Sequence, residues 1–524
     1  MTPFVAPLSR SGHCSLRWSK NVSIQATYPI MSGHQPSPCE PAEDEHFHWE
    51  KKHTVPENEH VPRLRKLAYG FGGLSDFFYL NVVSALAVPI YTVALKMDPM
   101  LIGIALALPK IIGAITDPVV GGISDNTRSK WGRRRGFILM GAILGGILLP
   151  FAWMPPVPSQ TGMFVYLCVF LGVFAIGNSV FSVPYGALGL ELSTHYDERT
   201  RVLAWRAYIQ TIGTLAAAWF YWFCLRPVFG NEVIGARWLS VLAGIVIIGG
   251  AVATVLGCRE RTQQVVSQPK MPLMPALKQT LRNRPFLLLL STTLIITLGT
   301  GCEGLIGTYV HIYYTCQGDK NTASLISGFG GSLTVFAALA SVPLGIFLST
   351  RFGKREAAIC GLLIALVSIS ILPFTLVPEN PYRIIVSWVI MAFGMPCASL
   401  MFGSMMADVC DEDEVSTGLR REGSYVSVGA FFGKIATVVT LLLGGWLPHL
   451  AGFTDPSRIP TLPQLQTMRA MLIGIQLFAL IAAIAVLWYY PISRKRSAET
   501  RRLLDERKTI KAKSPKSYQP TLGA

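Results

Sequence analysis

Six charged side chains stand in or at the edge of apolar stretches: Asp76, Lys110, Asp117, Arg206, Glu303 and Lys434. A charge at the centre of a membrane helix costs about 2.5–3.5 kcal/mol on insertion scales, so such residues face a cavity or a partner. Carboxylates placed there can take up a proton or a small cation. Ammonium and guanidinium groups can neutralise them or hold a polar solute. Lys110 and Asp117 are seven residues apart and share one helix face. Gly113 lies on that face and leaves room for backbone approach or water. Lys434 is isolated in a long apolar run and demands an acid or a ligand; it is the first candidate partner for Asp117, with Lys110 and Arg206 next. Asp76 follows "YGFGGLS", a glycine-rich stretch that permits close packing. Glu303 sits in "TGCEGLIGTYVHIYY", where a hydrogen-bonded His311 is expected. Tyr69, Tyr185 and Tyr309 could stack on a sugar, although aromatic residues in membrane helices usually pack. There is no HExxH, no P-loop and no Ser/His/Asp set in these segments, so the chain does not read as an enzyme or an ATP-driven pump.

The elements that position these charges are helices. The chain is 51% hydrophobic and only 15% charged, against about 25% charged in soluble domains; its mean hydropathy is +0.43. A spanning helix needs about 20 apolar residues. Candidate spans are 67–95, 100–124, 136–155, 162–190, 203–226 and 236–257, then 286–315, 323–349, 356–377, 382–408, 424–450 and 467–491. The expectation is an all-α membrane protein with twelve transmembrane helices in two six-helix pseudo-repeats. Residues 66–257 and 286–491 form the two bundles, and 258–285 is a cytoplasmic linker. Residues 1–65 read as a disordered cytoplasmic extension and 492–524 as a basic, disordered tail. The ten cysteines form no CxxC and read as buried small hydrophobes without a zinc site. No cleavable signal peptide is evident at Met1.

Charge sets the orientation. Loop 125–135 carries Arg128, Lys130, Arg133, Arg134 and Arg135, whereas 156–161 carries no Lys or Arg and 316–322 only Lys320. The positive-inside rule puts the basic loops and both termini in the cytoplasm of a multi-pass plasma-membrane protein. The net charge of +16 is spread over short loops, which argues against nucleic acid as partner. "ADVCDEDEVSTGLRREG" (407–423) reads as a loop on the same side. Its Asp408, Asp411 and Arg420, with Asp125 and Arg133–Arg135, are candidates for a cytoplasmic gate. The halves also echo each other. Gly132-Arg133-Arg134-Arg135 follows the second apolar run, and Gly353-Lys354-Arg355 follows the eighth. In transporters built from such repeats, the substrate lies between the halves near the midplane.

"DPVVGGISDNTRSKWGRRR" together with "ADVCDEDEVSTGLRREGSYVSVGAFFGK" resembles the glycoside–pentoside–hexuronide cation symporter family of the major facilitator superfamily, typified by melibiose permease. The resemblance extends through "KLAYGFGGLSD", "SVPYGALGLELSTHYDERTRVLAWR" and "YVHIYY" and covers residues 66–491. It implies a secondary transporter for a sugar, glycoside or hexuronide, acting as a monomer in lipid. No cofactor is implied beyond a coupling ion, Na⁺ or H⁺. The family's helix-2 acid falls on Asp117, its helix-5 arginine on Arg206, its helix-11 lysine on Lys434, its helix-2 basic residue on Lys110 and its helix-1 acidic region on Asp76. Cation coupling is thus expected at Asp117, Asp76 and Lys434. Solute binding is expected at Asp76, Lys110, Arg206, Tyr185, Glu303, Tyr309 and Lys434. The chain departs from the family's sodium- and galactoside-coupled member at three places: Gly113 replaces a second helix-2 acid, Ser182 a helix-4 acid and Gly186 an aromatic residue. Fewer carboxylates favour proton coupling, another cation geometry or facilitated movement. A lysolipid or other amphiphile carrier on the same fold, and a non-transporting receptor or sensor, are alternative readings of the same spans.

Overall fold

The computed structural model describes residues 60–129, 131–193, 195–258, 280–418, 421–455 and 458–513. Residues 1–59, most of the expected linker, Arg420 and residues 514–524 lie outside the described residues. The long helices are α1 (Arg63–Ala87), α2 (Pro99–Asn126), α3 (Arg135–Leu148), α4 (Gln160–Glu191), α5 (Tyr196–Ala217) and α6 (Glu232–Gly257). They are followed by α7 (Arg284–Gly301), α8 (Lys320–Arg351), α9 (Lys354–Thr375), α10 (Ile384–Thr417), α11 (Glu422–Leu450), α12 (Leu462–Trp488) and α13 (Arg494–Lys513). Among the described residues, eleven helices are long and apolar enough to cross a membrane.

Short polar caps start many of these helices. The side chains of Asp98, Ser159, Asn231, Asn283 and Asp319 each accept a backbone N–H from the first turn of the helix they precede. Thr461 and Gln464 form a capping box on α12. Such caps satisfy amide groups that have no intrahelical partner, which is why short loops suffice.

Three sequence expectations are corrected. The fifth helix starts at Tyr196, seven residues earlier than expected, and breaks after Ala217 before a short turn at Phe220–Cys224. It opens with Asp197, Glu198, Arg199 and Arg201, and these charges hid its first turns from an apolar-run criterion. The tenth helix runs on to Thr417, so Asp408 and the acids 411–414 are on a helix rather than in a loop. The expected disordered tail contains α13, which packs on α10. There Arg501 meets Asp408 at 3.3 Å and Arg496 pairs with Glu412.

Two apolar cores match the two halves. One is built around Tyr79, Trp153, Phe181 and Ile247, and the other around Phe286, Ile326, Leu362 and Leu480. Each takes one buried side chain from the opposite half, Leu305 in the first and Val93 in the second. Both visitors sit on π-helical segments at equivalent ends of equivalent helices. These are Val88–Ala94 after α1, and Glu303–Gly307 after α7, which a second π segment, Val310–Thr315, follows closely. The Gly-basic turns repeat in conformation as well as in sequence: Gly132 has φ 106° and Gly353 φ 114°, a region that L side chains disfavour.

Candidate functional site

Helix α2 carries the central charges. Its Lys110, Gly113 and Asp117 line a cavity of about 230 Å³ with Tyr79, Ser84 and Asn178, and Lys434 reaches in from α11. Lys434 Nζ donates to Asp117 Oδ2 at 2.8 Å. Ser179 Oγ, on α4, donates to Asp117 Oδ1 at 2.6 Å and lies 2.7 Å from the Thr116 hydroxyl. One carboxylate therefore ties α2 and α4 of the first half to α11 of the second. The pair is not sealed: the Lys434 side chain is 38% and the Asp117 side chain 34% exposed. Lys110 is half-buried and has no hydrogen-bond or ion-pair partner among the described residues.

A second pair stands behind this cavity. Arg206 donates to Asp76 at 2.8 Å with Asp76 only 6% exposed. The guanidinium lies 5.1 Å from the Tyr185 ring centre, and Tyr185 stacks on Tyr69 at 4.7 Å. The glycines of "YGFGGLS" admit these groups: a Cβ on Gly72 would stand 2.5 Å from the Tyr185 ring, and one on Gly73 2.7 Å from Arg206. Tyr185 is fully buried, as is Tyr309 against Phe453, so both rings pack in this conformation and do not line the cavity around Asp117.

Glu303 opens the π segment after α7 and lines a separate cavity of about 290 Å³ with Tyr221, His311, Ser327 and Trp388. His311 Nε2 is 3.1 Å from the Ala323 carbonyl.

The basic cluster is held mostly within its own half. Arg133 pairs with Glu191 at 2.6 Å, and Arg134 with Asp125 at 2.7 Å and Glu191 at 2.9 Å. Arg135 Nε donates to the Cys258 carbonyl at 2.8 Å. In the other half, Lys354 grips Asp408 at 2.7 Å, Arg421 holds Asp413 in a fork, and Asp411 lies 4.0 Å from Arg501. Arg134 and Asp125, both gate candidates, thus pair with each other inside the first half. The contacts named here for Arg133, Asp408 and Asp411 each stay within one half.

At the opposite end the halves touch directly. His449 Nε2 is 2.9 Å from Asp98, and Lys320 donates to Glu232 at 2.7 Å. A Cβ on Gly103 would stand 2.5 Å from the Leu441 carbonyl oxygen and 3.1 Å from Gly445 Cα. Glu191, Asp98, His449, Glu232 and Asn178 were not singled out from sequence. They lie at helix ends or carry neutral polarity, where a charge or an amide is ordinary.

Residues 68–494 match the family described as MFS/sugar transport protein. The chain belongs to this family. An isoprimeverose transporter of Lactiplantibacillus pentosus is 24% identical over 75% of this chain and 81% of its own length. A glucuronide carrier protein homolog of Escherichia coli is 22% identical over 85% and 96%. Among solved structures, a bacterial homolog of the human lysosomal transporter Spinster aligns with TM-score 0.60 at 17% identity, covering 82% of this chain and 97% of its own. A D-xylose–proton symporter aligns with TM-score 0.57 at 14% identity, covering 82% and 97%. The fold is the major facilitator fold, and the protein is a multi-pass membrane protein of a transporter family.

Proposed function

We propose that this chain is a cation-coupled symporter that moves a sugar-class solute by alternating access, with the Arg128–Arg135 face in the cytoplasm. The observation that carries this reading is the Asp117–Lys434 bridge: one carboxylate joins both halves inside a solvent-connected cavity. The names of the relatives, which include an isoprimeverose transporter and a glucuronide carrier protein homolog, support the solute class.

Coupling follows from competition at Asp117. A bound Na⁺ or H⁺ satisfies the carboxylate and releases the Lys434 ammonium, which then turns to the solute. Cation and solute each favour the same rearrangement of the bridge, and that differential contact is what coupling requires. Asp76 and Arg206 brace α1 against α5 behind the cavity and enter the solute's surroundings when the halves rock. Glu303 and Tyr309 serve the path nearer the outer end. Closure of the cytoplasmic end brings Arg133–Arg135 toward the acids of α10, including Asp408 and Asp411. On this reading the contacts Asp98–His449 and Glu232–Lys320 close the outer end while the cytoplasmic end is open.

The test is transport by the purified chain in proteoliposomes. Counterflow against a panel of sugars and glycosides should reveal exchange. Imposed Na⁺ and H⁺ gradients, applied separately, should then identify the ion that drives accumulation. Failure of every sugar-class solute to exchange would refute the reading.

A further inference from the structure

Glu303 is a carboxylate without a hydrogen-bond or ion-pair partner among the described residues. It is half-buried and lies inside a membrane span, Arg284–Gly307. The described residues that line its cavity include no lysine, no arginine and no second acid. On the elements packed around it, the charged and titratable groups are committed elsewhere. Tyr221 and Lys320 bond to Glu232, Arg206 holds Asp76, Lys434 bonds to Asp117, and His449 meets Asp98. Arg469 bonds to Tyr314 and to the Pro373 carbonyl, and Tyr309 stacks on Tyr313. An ionised acid in such surroundings is costly, so a cation must offset its charge or a proton must remove it.

His311 lines the same cavity and is buried. Its Nε2 stands 3.1 Å from the Ala323 carbonyl. A carbonyl only accepts, so Nε2 carries the hydrogen and Nδ1 of the neutral ring keeps a lone pair. That Nδ1 is buried without a donor among the described residues. The lining hydroxyls of Tyr221, Thr308 and Ser327 donate elsewhere, to Glu232 and to the Gly304 and Ala323 carbonyls. A proton on Glu303 removes the unpaired charge and adds a donor to the cavity. A sodium ion removes the charge and adds no donor.

Both halves wall this cavity, with Ala85, Pro89 and Tyr221 from the first and Trp388 and Leu472 from the second. Two residues beyond Glu303, Leu305 is buried in the core of the first half. We propose that Glu303 is a proton-binding site separate from Asp117, loaded while the end opposite the Arg128–Arg135 loop is shut and unloaded when that end opens. Opening withdraws Leu305 from the first core and admits water to the carboxyl, whose proton then passes to that water; no other bond changes. This rests on the alternating-access reading above and adds to it a proton step that Asp117 does not carry. By linkage, closure and proton binding favour each other, so acid populates the shut state and alkali the open one.

The experiment measures opening directly, with no solute present. Spin labels go on cysteines replacing Val228 and Glu379, exposed loop residues of the two halves at that end. Cys14, Cys39, Cys168 and Cys360 are first changed to serine, which leaves only buried cysteines. Pulsed dipolar distances are then recorded in lipid nanodiscs from acidic to alkaline buffer. The distances should lengthen with pH, and the open-to-shut ratio should change by about tenfold for a tenfold difference in proton affinity between the states. The His449–Asp98 contact titrates at the same end, so the series is repeated in His449→Gln, where the shift should persist. Glu303→Gln, which resembles the protonated acid, should stay shut at every pH, and Glu303→Asp should keep a shift. A pH shift that survives in Glu303→Gln, or that is absent from the unaltered side chains at these positions, overturns the site. A shift driven by Na⁺ at fixed pH and lost in Glu303→Gln overturns the proton in favour of a metal cation. Counterflow with sugar-class solutes separates the two readings. Opening linked to pH without exchange leaves the proton site standing and refutes symport, and exchange without such opening does the reverse.

Discussion

Asp117→Asn separates a coupling carboxylate from a structural strut. The substitution keeps the shape and the hydrogen bond from Ser179 but removes the charge opposite Lys434. The N–O distance of 2.8 Å would imply an attraction of several kcal/mol at an effective dielectric near 20. Both side chains are more than a third exposed, so screening reduces the net value toward the ~1 kcal/mol typical of solvated pairs. A loss of that size leaves the protein folded and inserted. The effect on coupling is much larger in kind. With a tenfold cation gradient, one-to-one symport supports about tenfold solute accumulation, since 1.4 kcal/mol is a factor of ten. If Asp117 holds the cation, the variant exchanges solute down its gradient while accumulation falls to the equilibrium ratio of one. Accumulation and counterflow are measured on the same proteoliposomes, with monodispersity in detergent as the folding control. If Asp117 is a strut, Asp117→Asn loses stability, and Asp117→Asn/Lys434→Met recovers both stability and accumulation. Full tenfold accumulation in a well-folded Asp117→Asn protein would refute the coupling argument.

The outer closure depends on Gly103 meeting Gly445; Gly103→Val should cost about 1–3 kcal/mol of that contact through overpacking and raise the reactivity of cysteines placed in the 95–98 loop. Neutralising Arg133 and Arg134 together should shift spin-label distances between the loop after α2 and the end of α10 more than it weakens solute binding; unchanged distances with weakened binding would argue against a gate. A cysteine placed at Ser129 should react with impermeant maleimide only from the cytoplasmic side. Native Cys258 should stay unlabelled at neutral pH, because burial pushes its thiol up to about 12 and little thiolate is present.

The central site was legible because membranes make charge conspicuous. Lys434, isolated in an apolar run, required an acid, and the seven-residue spacing of Lys110 and Asp117 placed both on the face that meets it. The fold was legible from hydropathy and loop charge for the same reason. Where charge is ordinary, no such mark is left. The acids 408–414 were read as a loop because their polarity ends an apolar run, although α10 continues through them and buries Asp408 and Asp413. The start of α5 was missed because it is charged. Asp98–His449 joins residues 351 positions apart, at helix ends where either side chain alone is commonplace, and no local pattern signals such a pair. The burial of Tyr185 and Tyr309 was equally hidden, since an aromatic ring carries no mark of which way it faces.

The π segments after α1 and α7 give the two doors of this protein different mechanics. Bonds in a π turn reach from residue i to i+5, a wider and less regular coil than the α-helix. Here that slack is placed at the end opposite the Arg128–Arg135 loop, and each coil lends one buried residue, Val93 or Leu305, to the core of the opposite half. The door at that end thus includes a pair of reciprocal knobs on compliant stems. Withdrawing these two side chains loosens that end, which Asp98–His449, Lys320–Glu232 and the Gly103–Gly445 approach also hold. Toward the Arg128–Arg135 end, α2 and α4 run as α-helices without a π segment among the described residues, although Pro118 and Pro184 lie inside them. A mutation that straightens the coils should stiffen one door and spare the other.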